Sequence, residues 1–249
     1  DFDRYSPGNF IDFRRWASKP EHKRFLWGWA GMPMDLTYAA IAREQFPKVV
    51  KEIWKPTTEI MLLERGEDPF YASNRTRVWL DDSTLYGPTY TQLLSEVSNC
   101  RHEVLHVFTD FRCYEAPDEE LQLVIAFEDE INGEKLMWKS QKLSLFYDSL
   151  EVGKWQRVHF VKRMRFLQEP PYHAIRLKAY IWNPGKSEIE IRGEPAVEVW
   201  TGNPAVYGFV EWAFPCSNLI RKRKIIPKSQ NEIARMKQNE TRQGAFVRQ

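Results

Sequence analysis

The chain has 249 residues, 43% of them hydrophobic, enough to bury one sizeable core with extensions but short for two full-sized domains joined by long linkers. Aromatic residues make up 14%, a content that favours pleated, half-buried surfaces and flat binding platforms. The formal charge of +2 conceals a basic segment at 221–249, with nine Lys and Arg against two Glu, and a remainder near −5; such a tail can reach nucleic acid, an anionic surface or an acidic partner, and the expectation is docking on another chain or an anionic surface, with nucleic acid the less favoured partner.

Cys100, Cys113 and Cys216 form an odd set without C-x-x-C spacing, so they imply neither a zinc site nor a disulfide framework, and their redox state stays open. No stretch approaches eighteen apolar residues, and the start, DFDRYSPGNF, has neither a basic n-region nor an apolar h-region. The chain therefore reads as a processed protein or a soluble piece of a longer one, with a secreted or cell-envelope setting as the expectation.

Residues 1–56 read as a helical N-terminal extension. Phe10, Phe13, Arg14 and Trp16 lead to a stop at Lys19-Pro20, Phe25, Leu26, Trp27 and Trp29 follow, and Leu36, Ala39, Ala40, Arg43 and Phe46 recur at three- and four-residue steps before Pro47. From 57 to 200 the period changes to two. Glu59–Leu63, Thr76–Leu80, Glu103–Cys113, Leu121–Glu128, Leu136–Tyr147, Trp155–Arg163, Ala174–Trp182 and Ile189–Trp200 are strand-like and separated by turn clusters, with no βαβ alternation. This predicts a mainly β fold, an antiparallel jelly-roll sandwich with an N-terminal helical cap and a basic C-terminal tail. Asn132-Gly133 predicts a tight hairpin, and Asn183-Pro184-Gly185 a sharp strand end. Residues 201–249 form the remaining extension, aromatic and then basic.

Candidate chemistry is sparse. Glu128 and Glu130 share a strand face, as paired carboxylates of sandwich-fold glycosidases do, but they sit directly before a hairpin turn, where solvated acids are common. His102 and His106, four apart on a strand, stand about 13 Å from each other, too far for one metal ion. Trp155, Arg157 and His159 alternate along one strand and can share the side of a cleft, the plainer reading being a satisfied sheet-surface histidine. No phosphate-cradling glycine loop and no nucleophile elbow is present, so no cofactor is expected. The clearest pattern lies in Ala174–Trp182: Ile175, Leu177, Ala179 and Ile181 form a core face, and Arg176, Lys178, Tyr180 and Trp182 the opposite one. That second face can stack a sugar ring, or it can be covered by the N-terminal helices.

The segments Arg77–Tyr90, Gly153–Phe160 with its Gly-x-Trp, Leu177–Asn183 and the closing strand ending Val197–Trp200 resemble carbohydrate-binding-module-type jelly rolls over about residues 57–200. Strand alternation makes Arg176, Tyr180, Trp182, Trp155, Arg157 and His159 the candidate ligand-binding residues, and the resemblance makes a glycan the ligand class to expect. Trp16–Trp29 and Ile41–Pro47 are similar in texture to the soluble extracytoplasmic parts that follow the membrane helices of bacterial envelope glycosyltransferases. The expected function is a non-catalytic binding or assembly module holding a glycan or a protein partner. Its rivals are a structural subunit with the aromatic face as interface, and a sandwich-fold polysaccharide hydrolase or lyase using Glu128 or Glu130 with His159 or Arg157.

Overall fold

The computed structural model describes residues 9–30, 36–55, 58–67, 76–98, 103–163, 174–200 and 223–225. In chain order the elements are α1 (Phe10–Ser18), β1 (Arg24–Ala30), α2 (Leu36–Gln45), β2 (Lys48–Lys55), β3 (Thr58–Glu64), β4 (Arg77–Leu80), β5 (Tyr90–Leu93) and α3 (Leu94–Val97). There follow β6 (Val104–Arg112), β7 (Gln122–Asp129), β8 (Lys135–Lys142), β9 (Gln156–Arg163), β10 (Ile175–Trp182), β11 (Ile189–Arg192), β12 (Ala196–Trp200) and β13 (Arg223–Ile225). Every strand pairing among them is antiparallel, and the chain is a mainly β sandwich with helices on one side, as expected.

Two sheets face each other across the principal core. One has the order β5-β10-β7-β8; the other centres on β6, which pairs with β9 along one edge and with β12 and β11 in turn along the other, while β13 and β4 extend the sheet. Alternation decides which side chains face inward. Leu105, Val107 and Phe111 of β6, Val158 and Phe160 of β9, Leu123, Ile125 and Phe127 of β7, and Leu177, Ala179 and Ile181 of β10 are buried in one cluster. The β7–β8 hairpin forms at the predicted turn, with Gly133 at φ 71° and its N–H donating to Asp129 O at 2.9 Å, a conformation favouring glycine. The Asn183 side chain pins the other predicted turn, donating to the carbonyls of Thr84 and Ser187 and accepting from Ser187 N at 2.8 Å.

The N-terminal region holds the two expected helices but also two strands that replace expected helix. Arg24–Ala30 is β1 and Lys48–Lys55 is β2, which pair on either side of β3 to form a third sheet. Phe25 and Trp27 pack towards the core while Leu26 between them is exposed, a period of two; Gly28, Val49, Val50 and Ile53 weaken a helix further. The β2–β3 pair straddles position 57. The layers follow from these contacts. The third sheet covers α1 and α2, with Phe25 stacked on Phe46 at 5.6 Å and near Phe13 at 5.9 Å, and α2 lies on the β6 sheet, where Leu36, Ala39 and Ala40 pack against Val104 and Trp200. The small alanines allow close approach of helix to sheet.

Other boundaries shift for local reasons. The expected strand Leu136–Tyr147 ends at Lys142, and a 3-10 turn at Leu143–Phe146 puts Leu143 and Phe146 into the core. Ile189–Trp200 divides into β11 and β12 around Gly193, at φ 60°. Cys113 is a buried free thiol whose pKa burial pushes up to about 12, while Cys100 and Cys216 lie outside the described residues. The aromatic continuation and the basic tail do so too, apart from β13 alongside β12.

Phe111 is fully enclosed where β6 meets the second sheet. Phe111→Ala is expected to lower unfolding free energy by about 3–5 kcal/mol, read from the urea midpoint, whereas truncation of the exposed Leu150 stays within about 0.5 kcal/mol.

Candidate functional site

On the outer face of the β5-β10-β7-β8 sheet, β10 presents Arg176, Lys178, Tyr180 and Trp182, all partly exposed. Register places Lys178 opposite Ala126 and Tyr180 opposite Val124 on β7, and Trp138 of β8 opposite Ala126 from the other side. Val124 and Ala126 are buried on this face, so the neighbouring rings roof over small residues while showing their other surfaces to solvent. Trp138 Nε1 donates to the Tyr180 hydroxyl at 3.3 Å, the Trp138 and Trp182 rings meet edge to face at 5.7 Å, and Tyr86, 56% exposed, meets Tyr180 at 5.7 Å in the same manner. Four aromatic rings thus adjoin one another, and ion pairs frame them: Lys178 with Glu128 at 2.6 Å, and Arg176 with Glu130.

The outer face of the β6 sheet carries a buried polar chain instead. Glu198 Oε2 lies 3.2 Å from His106 Nδ1, His106 Nε2 lies 3.0 Å from His159 Nδ1, and His159 Nε2 lies 2.7 Å from Glu44 Oε2 on α2. Trp200 Nε1 donates to Glu198 at 3.2 Å and Arg14 of α1 donates to Glu44 at 3.3 Å. Beside it Arg157 holds Asp110 through Nε at 2.6 Å and Nη2 at 3.1 Å, its guanidinium lying 4.6 Å from the Phe108 ring centre. Burial pushes the His159 pKa down to about 3, against the hydrogen bond to Glu44. Burial also pushes Glu44 up, but Arg14 and the hydrogen bond from His159 outweigh it and hold this carboxyl well below the usual range. His159, neutral, donates to Glu44 through Nε2.

Next to this chain, α1, α2 and the sandwich enclose a cleft of about 440 Å³, lined among others by Arg14, Arg15, Glu44, Arg65, Asp148 and Trp155. Its cations are already engaged: Arg15 grips Asp148 with two hydrogen bonds, and Arg65 donates to the carbonyls of His22, Ala17 and Lys19 at the end of α1. Trp155 has the guanidinium carbons of Arg112 and Arg192 at 5.0 and 4.4 Å from its ring centre. Among the described residues, no group of three or more His, Cys, Asp or Glu is arranged to hold a metal ion.

The six predicted site residues therefore divide between two outer faces. Arg176, Tyr180 and Trp182 stand together on one, with Arg176 committed to Glu130. On the other, Arg157 and His159 are buried in polar contacts under the helices, and Trp155 borders the cleft. Glu128 and Glu130 are on the first face and His159 and Arg157 on the second, with the core between them, so the hydrolase constellation does not assemble. The helices α1 and α2 pack against one another, and α2 against β9, which places them on the β6 sheet and not over Tyr180 and Trp182. Sequence reading missed Trp138 and Tyr86, which complete the ring cluster, and Glu44, His106 and Glu198, which complete the buried chain. Trp138 had a signal, since the hairpin at Asn132-Gly133 makes β8 a neighbour of β7; Tyr86 sits in an irregular loop and had none.

The chain matches no protein-family model and no curated protein. A solved structure of an arabinose-bound α-L-arabinofuranosidase is similar over 53% of this chain and 23% of that one, at 10% identity and a TM-score of 0.32.

Titration of the buried chain gives stability a defined pH dependence. Unfolded His159 binds a proton near pH 6.5 and folded His159 only near pH 3, so across that window the unfolded state holds more protons. Glu44, with its folded pKa depressed, adds the same sign below about pH 4.5. Stability contributed by both groups is complete above about pH 6.5 and is lost on acidification. The urea midpoint is expected to fall between pH 7 and pH 5, and His159→Gln to give a lower midpoint at pH 7 with a flatter profile across that range.

Proposed function

We propose that the chain is a carbohydrate-binding module, and that its glycan lies across the outer face of the β5-β10-β7-β8 sheet. The observation carrying this reading is the joined cluster of Tyr86, Tyr180, Trp182 and Trp138, partly exposed and framed by the Lys178–Glu128 and Arg176–Glu130 pairs. Sugar rings present apolar C–H faces that stack on such rings, and their equatorial hydroxyls match the planar donors and acceptors of the flanking pairs. The ion pairs hold those groups in place before a ligand arrives, which lowers the ordering cost of binding. An open sheet face of this kind suits a chain segment of a polysaccharide better than a small enclosed metabolite. A glycan-holding role is consistent with work outside the cytoplasm, at the cell envelope or in secretion.

Glycan-array screening followed by calorimetric titration tests the proposal. Tyr86→Ala, which removes an exposed ring, is expected to weaken binding of the selected glycan about tenfold without changing the thermal midpoint. Trp182→Ala is expected to abolish measurable binding. Unaltered affinity in both variants, or no glycan bound by the parent chain, would refute the assignment.

A further inference from the structure

Among the described residues the β1-β3-β2 sheet is the terminal layer, and its outer face departs from the usual rule. An antiparallel sheet with one face on the core shows water an alternating set of polar residues. Here Phe25, Trp27, Met61 and Leu63 pack inward, and the residues alternating with them read, in cross-strand rows, Arg24–Glu64–Lys48, then Leu26–Leu62–Lys51, then Gly28–Ile60–Ile53. Leu26 is 49% and Ile53 39% exposed, and Val50, the extra residue of the bulge between Val49 and Lys51, is 45% exposed. Gly28 has open space where a side chain would stand, so the patch is shallow and offers no pocket. Its charges are lopsided: Arg24 and Lys48 share the single Glu64, and the exposed Lys51 stands in the same row as Leu26 and Leu62.

We propose that this face docks on an anionic phospholipid surface, with Leu26, Ile53 and their neighbours entering the headgroup boundary and Lys51, Lys48 and Arg24 meeting lipid phosphates. Lysine is depleted from the centres of protein–protein interfaces, where its desolvation is costly. At a bilayer the same residue extends its stem along the apolar surface and leaves its ammonium among the headgroups. Partial insertion of apolar side chains together with cations is the combination that holds a peripheral protein on a charged membrane. The inference is independent of glycan binding. The helices and the β6 sheet separate the docking face from the aromatic face, so a docked molecule presents Tyr86, Tyr180 and Trp182 away from the lipid.

The test is flotation of the whole chain with vesicles of phosphatidylglycerol and phosphatidylcholine, and with vesicles of phosphatidylcholine alone. The parent chain is expected to float with the anionic vesicles only. Leu26→Asn combined with Ile53→Asn, and separately Lys51→Glu, should each weaken that binding by about tenfold or more, while thermal midpoint and circular dichroism report an intact fold. Lys51→Glu, at an exposed position, keeps the test valid should the double variant not fold. Binding insensitive to these substitutions assigns it to the basic 221–249 segment and overturns the proposal. So does absence of vesicle binding, or a self-association that the Leu26 and Ile53 substitutions abolish without any lipid effect.

Discussion

The architecture depends on the seam where α2 lies across the β6 sheet, and on the chain of hydrogen bonds from Glu44 through His159 and His106 to Glu198 that crosses it. Its members come from α2, β9, β6 and β12, so displacement of any one of these elements breaks at least one of its bonds. Ionisable groups this deeply buried are tolerated only when each finds a partner, because an uncompensated one costs several kcal/mol. Arg157 and Asp110 repeat the principle beside it, and Arg14 ties in α1 by donating to Glu44 and to the carbonyls of Phe146 and Arg157. Such a network specifies a single docking arrangement for the helices, where an apolar seam of alanines alone would permit sliding. The terminal sheet rides on those helices and inherits its position from the same contacts.

The sandwich was legible in the sequence because its physics is local. Ile175, Leu177, Ala179 and Ile181 alternate with polar residues in the way a half-buried strand requires, and Asn132-Gly133 names both a turn and the two strands it joins. Residues 24–30 were not legible, because Phe25, Leu26, Trp27 and Trp29 satisfy a helical spacing as readily as an alternating one, and only pairing with β3 decides between them. The end of β8 escaped for a related reason: Leu143 and Phe146 reach the core from a 3-10 turn whose period mimics neither pattern.

The site was half legible. Arg176, Tyr180 and Trp182 follow from alternation along one strand, but Trp138 belongs to that surface only through β7, and Tyr86 only through a loop folded onto β10. His159 is the instructive case. Its partners Glu44 and His106 lie 115 and 53 residues before it, and Glu198, the further partner of His106, lies 92 residues beyond that residue, separations at which spacing conveys nothing. The same alternation that offered it to a ligand also turned it towards a helix, and the helix took it.

β6 is paired along both edges, by β9 from Val104 to Phe111 and by β12 and then β11 where Gly193 lets the chain step from one to the other. Its amides are therefore enclosed by backbone on each side, and no fraying of a sheet margin releases them. In deuterated solvent they will exchange through global opening, whereas β1 and β2, margins of the outermost layer, exchange through excursions that leave the sandwich intact. The molecule thus has a centre that opens last and a rim free to breathe, set by the placement of one strand.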